Sequence, residues 1–123
     1  MKRRALLTAL AIGVTLAACS FQNKNEREAE RITRAVMDNN LKPVTGDLAS
    51  GVAITRVKVA EWSDELGSQG KLLSVKEHPA DCPAGWHCFD VRFQKRDYVE
   101  RMRYDENGKV VNWNFHMAQQ PLR

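Results

Sequence analysis

Four stretches between residues 71 and 117 alternate apolar and polar side chains, and this constrains the fold more than anything else in the chain. Leu73 and Val75 alternate with Ser74 and Lys76, and Phe89, Val91 and Phe93 with Asp90, Arg92 and Gln94. Tyr98, Met102 and Tyr104 share one face of a third run. Val111, Trp113, Phe115 and Met117 share one face of a fourth, against Asn112, Asn114 and His116. A period of two reads as strands that bury one face and wet the other. Strands are predicted over about 71–78, around Phe89–Phe93, over 98–104 and over 109–117. Lys95-Arg96-Asp97 is a turn, and Asp105-Glu106-Asn107-Gly108 is a strong hairpin signal because Asn-Gly tolerates positive φ.

The face these strands must bury needs a cover. A helix is predicted from about Asn25 to Asn40, with Asn25 as cap and Glu26, Glu28 and Glu30 near the positive end of its dipole. Ala29, Ile32, Ala35 and Val36 give it one narrow apolar stripe, and Glu30 with Arg34 makes an i,i+4 pair on the wet side. Lys42-Pro43 ends it. Residues 43–53 read as a turn region. Val57 and Val59 with intervening charges permit a strand, but 60–67 favour a second helix with Val59, Trp62 and Leu66 on one side and Gly67 at its end. The expected fold is therefore α+β: two N-terminal helices packed on a curled four-stranded antiparallel meander.

At the other end of the chain, Lys2, Arg3 and Arg4 precede an uncharged run, Ala5–Ala18, too short to span a bilayer. A basic head, a brief apolar run and small residues before a cut form a secretory signal pattern. The Leu16-Ala17-Ala18-Cys19 stretch is similar to the lipobox of bacterial lipoproteins. That resemblance implies that Cys19 receives diacylglycerol, becomes the first residue of the mature chain and is then acylated on its amine. The membrane is then a partner through lipid, which anchors firmly only when several acyl chains insert. Ser20, where an aspartate would retain a family member at the inner membrane, implies the outer membrane facing the periplasm.

Removing residues 1–18 from the 123 leaves 105, room for one domain. The domain plan is signal peptide 1–18, lipidated tether 19–25, a small α+β domain 26–118 and a tail 119–123. Three positive charges leave with the signal, reducing the formal charge from +4 to +1, and export argues against nucleic acid. Of three cysteines, Cys82 and Cys88 remain, and an even remainder in an oxidising compartment reads as one disulfide closing the Pro83-Ala84-Gly85-Trp86-His87 loop. The alternative is a metal held by His78, Cys82, His87 and Cys88, but the spacing matches no known zinc finger and the adjacent His87 and Cys88 strain a tetrahedron. The expectation is no metal and no cofactor.

Gly70-Lys71-Leu72-Leu73-Ser74-Val75, Val91-Arg92-Phe93, Tyr104–Val111 and the helix end Ala35–Leu41 together resemble the nuclear-transport-factor-two-like, cystatin-like superfamily. The likeness runs from about Glu26 to Phe115, with an added Cys82–Cys88 loop in a shorter chain. It implies a cone-shaped domain, like the accessory domains of bacterial lipoproteins, that can dimerise through its sheet face. Superfamily enzymes place Asp–His or Tyr–Asp sets inside the cone. No such set is found here, so no catalytic residue is carried over.

Glu100 interrupts the alternation of Tyr98, Met102 and Tyr104. A regular strand would carry it into the cone, where desolvation raises a carboxyl pKa and makes a site candidate. The favoured reading is instead a bulge or edge position that leaves Glu100 wet, because nothing else polar converges on it. The outer sheet face carries Asp90, Arg92, Arg101, Arg103, Asn112, Asn114 and His116. Such a face is most often solvated, and otherwise docks an acidic partner, anionic lipid or glycan, or a second copy. Trp86 at the loop tip is either a recognition finger or a cap folded back on the core. The leading expectation is a non-enzymatic envelope lipoprotein that binds a periplasmic protein through Trp86, His87, Arg92, Arg101 and Arg103. The alternatives are inhibition of, or immunity to, a secreted enzyme, and a small-ligand carrier or hydrolase built around Glu100, Tyr98 and Tyr104.

Overall fold

The computed structural model describes residues 22–50, 55–78 and 81–118. The signal segment, Cys19 and the tail 119–123 lie outside the described residues. Helix α1 spans Lys24–Met37 and starts slightly ahead of the predicted position. Asn23, not Asn25, is its cap. The Asn23 side chain accepts from the Glu26 amide at 2.7 Å, and the Glu26 carboxylate accepts from the Asn23 amide at 2.9 Å, a reciprocal capping box. The helix stops short of Asn40 because Asn39 adopts φ 53°. The Asn40 and Asn39 amides then donate back to the Ala35 and Val36 carbonyls, satisfying groups the helix end would leave unpaired. Ala29, Ile32, Ala35 and Val36 are buried as their spacing requires, and Glu30 pairs with Arg34 at 2.9 Å.

A 3-10 helix at Lys42–Asp47, begun by Pro43, inserts Val44 into the core. Helix α2, Arg56–Gly67, is capped by the Thr55 hydroxyl accepting from the Lys58 amide, which confirms helix over strand here. It buries Val59 and Leu66 and lays Trp62 against Tyr98 and Phe115. The Ser63 hydroxyl donates to the Met37 carbonyl at 2.9 Å, tying α2 to the end of α1.

Strands β1 (Leu72–Glu77), β2 (His87–Phe93), β3 (Asp97–Tyr104) and β4 (Val110–Met117) form one antiparallel sheet in chain order. Its inner face carries Val75, Phe89, Val91, Phe93, Tyr98, Met102, Val110, Trp113 and Phe115 against α1, the 3-10 turn and α2. The α+β arrangement of helices on a curled meander is therefore present. The Asp105–Gly108 hairpin closes through the Asp105 side chain, which accepts from the Asn107 and Lys109 amides, with the positive φ (78°) at Gly108.

Two bulges correct the predicted core. Leu72 pairs with Phe93 but Ser74 with Arg92, so Leu73 is the extra residue; it is 55% exposed, and Leu72 packs on the core instead. Likewise Tyr104 pairs with Val110 and Arg103 with Asn112, so Val111 drops out of the inner face and Val110 replaces it. Met117, at the end of β4, is 49% exposed.

No bulge occurs at Glu100. It pairs in register with Phe89 on one side and Phe115 on the other, so β3 carries it inward and it is wholly buried. The expectation of a wet Glu100 is overturned.

Cys82 and Cys88 are disulfide-bonded, with Cα atoms 5.8 Å apart. The histidines of the metal alternative are engaged elsewhere: His78 lies 3.1 Å from Asp90, and His87 3.0 Å from Glu77. Among the described residues no group of three or more His, Cys, Asp or Glu is placed to hold a metal, and no helix is long and apolar enough to cross a membrane.

Candidate functional site

Polar chemistry collects in three places: inside the cone, at its mouth, and on the outer sheet face. Inside, the Trp113 indole donates to Glu100 Oε2 at 2.6 Å, and Thr33 Oγ1 lies 3.0 Å from Glu100 Oε1. Thr33 also lies 2.7 Å from the Ala29 carbonyl. A hydroxyl has one proton, so Thr33 divides its donation between the Ala29 carbonyl and Glu100 Oε1. Burial nevertheless pushes the Glu100 pKa up to about 8, so the carboxyl is largely protonated at neutral pH. Burial is the main cause and the Glu28 charge adds to it, while the bonds from Trp113 and Thr33 act in the opposite sense. Sequence reasoning missed both partners. Thr33 was hidden because a threonine within an apolar stripe reads as filler. The indole of Trp113 was counted only as core.

At the mouth, Glu28 of α1 is held up to about 7 by burial first and by the neighbouring Asp47 next. Arg31 bridges the pair, 2.7 Å from Asp47 and 3.8 Å from Glu28. Tyr104 shares the inner face of β3, and its hydroxyl is buried without a hydrogen-bond partner. Burial and then the charges of Glu28, Glu100 and Glu77 raise its pKa. The other tyrosine of the ligand-carrier alternative, Tyr98, turns away and donates to Glu65 at 2.7 Å. Glu100, Tyr98 and Tyr104 therefore share a face without converging. A cleft of about 470 Å³ lies between the end of α1 and the start of α2. Arg56 is the sole titratable group among the described residues that line it.

The outer face holds Arg92, Arg101 and Arg103 as the alternation required, with Asp90, Asn112, Asn114 and His116 on the same side by register. Arg92 lies 3.9 Å from Asp97, and the shielded Nε atoms of Arg92 and Arg101 have no acceptor. Burial and then the Arg101 charge lower the His116 pKa. Trp86 lies beside the outer sheet face. It is half-buried, with the Arg103 guanidinium 5.1 Å above its ring. His87 falls on the opposite, inner side of the sheet, beside Tyr104 at 5.1 Å and Glu77 at 3.0 Å. The structure therefore brings Trp86 and Arg103 together and separates His87 from them.

No protein-family model and no curated protein matches the chain. Among solved structures it is similar to a SnoaL-like protein of unknown function from Burkholderia thailandensis, at 14% identity and a TM-score of 0.46. The match covers 80% of this chain and 99% of that one. The likeness carries no activity across.

Proposed function

We propose that this chain is a lipid-anchored, non-catalytic binding domain of the cell envelope, working through the outer face of its sheet. The observation that carries this reading is the contrast between the two faces. The acid inside the cone is saturated by Thr33 and Trp113 and has no exposed surface, so no solute reaches it in this conformation. Outside, the Nε of Arg92 and of Arg101 donates to no partner oxygen, while the Arg92 side chain is 41% exposed and Arg103 is exposed, so guanidinium groups on this face can be reached. Leaving such a donor unmade costs about 1–3 kcal/mol. An acidic protein surface would supply carboxylates to the exposed ends of these guanidinium groups, where charge-assisted bonds can form. Lipid on Cys19 raises the effective concentration of this surface toward envelope partners without adding a contact.

Photocrosslinking in living cells from positions 112 and 114, which share this face, tests the proposal. One protein captured at both positions, and lost on Arg92→Glu with Arg101→Glu, is the expected result. If that partner is a secreted enzyme whose activity falls at 1:1 stoichiometry, the role is inhibition or immunity. Capture of the chain itself would make the face a dimer interface. A small-molecule activity abolished by Glu100→Gln, with capture unaffected by the charge reversals, would overturn the reading.

A further inference from the structure

We infer that the loop closed by Cys82 and Cys88 rests on the membrane surface, with Trp86 at the level of the lipid headgroups. The inference depends on the lipid anchoring at Cys19 proposed above. Two residues separate Cys19 from Gln22, a span of about 10 Å at full extension. Gln22 is itself pinned: its carbonyl accepts from Arg27 Nη1 at 2.7 Å, and its side-chain amide donates to Glu30 at 2.8 Å. The start of α1 is in turn stitched to the sheet end from which the loop leaves. Asn23 donates to Glu77 at 3.0 Å, and the Glu77 amide donates to Glu26 at 2.6 Å. His87, the residue after Trp86, contacts both Glu77 and Asn25. Helix α1 begins at Lys24, within the 19–25 segment expected as tether. So short a tether holds the loop close to the lipid.

The loop suits that position. Pro83, Ala84 and Gly85 are exposed and uncharged, so no charge in that run has to lose its hydration at the interface. Trp86 presents an indole, the side chain that favours the boundary between hydrocarbon and water, beneath the Arg103 cation. Arg103 is an exposed cation over it, Lys24 and Arg27 are exposed on α1, and Asp81 is the exposed acid on the loop. The disulfide fixes the loop so that it can hold this pose. Arg92 lies five residues along β2 from His87, about 17 Å further from the membrane, where a periplasmic partner has access.

The test uses the full lipidated chain in vesicles of phosphatidylethanolamine and phosphatidylglycerol, containing a lipid spin-labelled near its headgroup as fluorescence quencher. The wild type is expected to lose emission that a Trp86→Phe variant does not, the difference being the signal of Trp86. Equal losses in both, with the lipid on Cys19 verified by intact mass, would overturn the loop placement and leave the anchoring intact. An unmodified Cys19 by mass would overturn both.

Discussion

Replacing Glu100 by glutamine should flatten the pH dependence of this protein's stability. In the folded chain Glu100 stays protonated up to about 8, whereas the unfolded side chain ionises near its ordinary value of 4.5. Because the folded pKa is raised, the associated stability is fully present below about 4.5. It is lost as pH climbs toward about 8, since the unfolded chain releases a proton that the folded chain retains. At about 1.36 kcal/mol per pKa unit, the loss from about pH 5 to about pH 7 is roughly 2.5 kcal/mol, a large share of a small domain's stability. Glutamine fills the same space. Its amide can donate to Thr33 and its carbonyl can accept from Trp113, but one N–H is left unmade, at a cost of about 1–3 kcal/mol. The variant therefore starts less stable in acid, and its curve approaches or crosses that of the wild type near neutrality. Glu28, held up to about 7 by burial and Asp47, supplies a slope of the same sign that persists in both proteins, so the difference between curves isolates Glu100. Urea unfolding of the domain from about pH 5 to about pH 9, followed by tryptophan emission, measures it. Parallel curves would refute the neutral-acid argument.

Two further outcomes are expected from the loop and the α2–β1 turn. The double variant Cys82→Ser, Cys88→Ser should lose about 2 kcal/mol by urea unfolding, since a bridge across a sequence separation of 6 removes little chain entropy. Gly70→Ala should lose roughly 2–3 kcal/mol in thermal unfolding. Gly70 has φ +86°, and a Cβ there would lie 2.6 Å from the Gln94 Oε1 that accepts from the Lys71 amide. Gly67→Ala, with open space around a helical position, serves as control and should be neutral or stabilising; equal losses at the two glycines would contradict the strain argument.

Element by element, the chain declares much of this fold locally. The stripe Ala29-Ile32-Ala35-Val36 and the Asp105–Gly108 turn need only neighbours within a turn or two, and both formed where expected, as did the four strands. The disulfide followed from an even cysteine remainder. Alternation, however, fixes only relative parity along an unbroken strand, and a single extra residue reverses it. That is why Leu73 and Val111 left the core while Leu72 and Val110 entered it. The same ambiguity concealed Glu100. A carboxyl among apolar neighbours looks misplaced until partners are known, and these come from α1, 67 residues before it, and from β4, 13 residues after it. Tertiary structure also decided which side of the sheet each loop residue faces, sending Trp86 under Arg103 and His87 toward Glu77. Short-range steric and hydrogen-bonding preferences are written in adjacent residues. Desolvation of a charge, and its relief, depends on atoms that only the folded chain brings together.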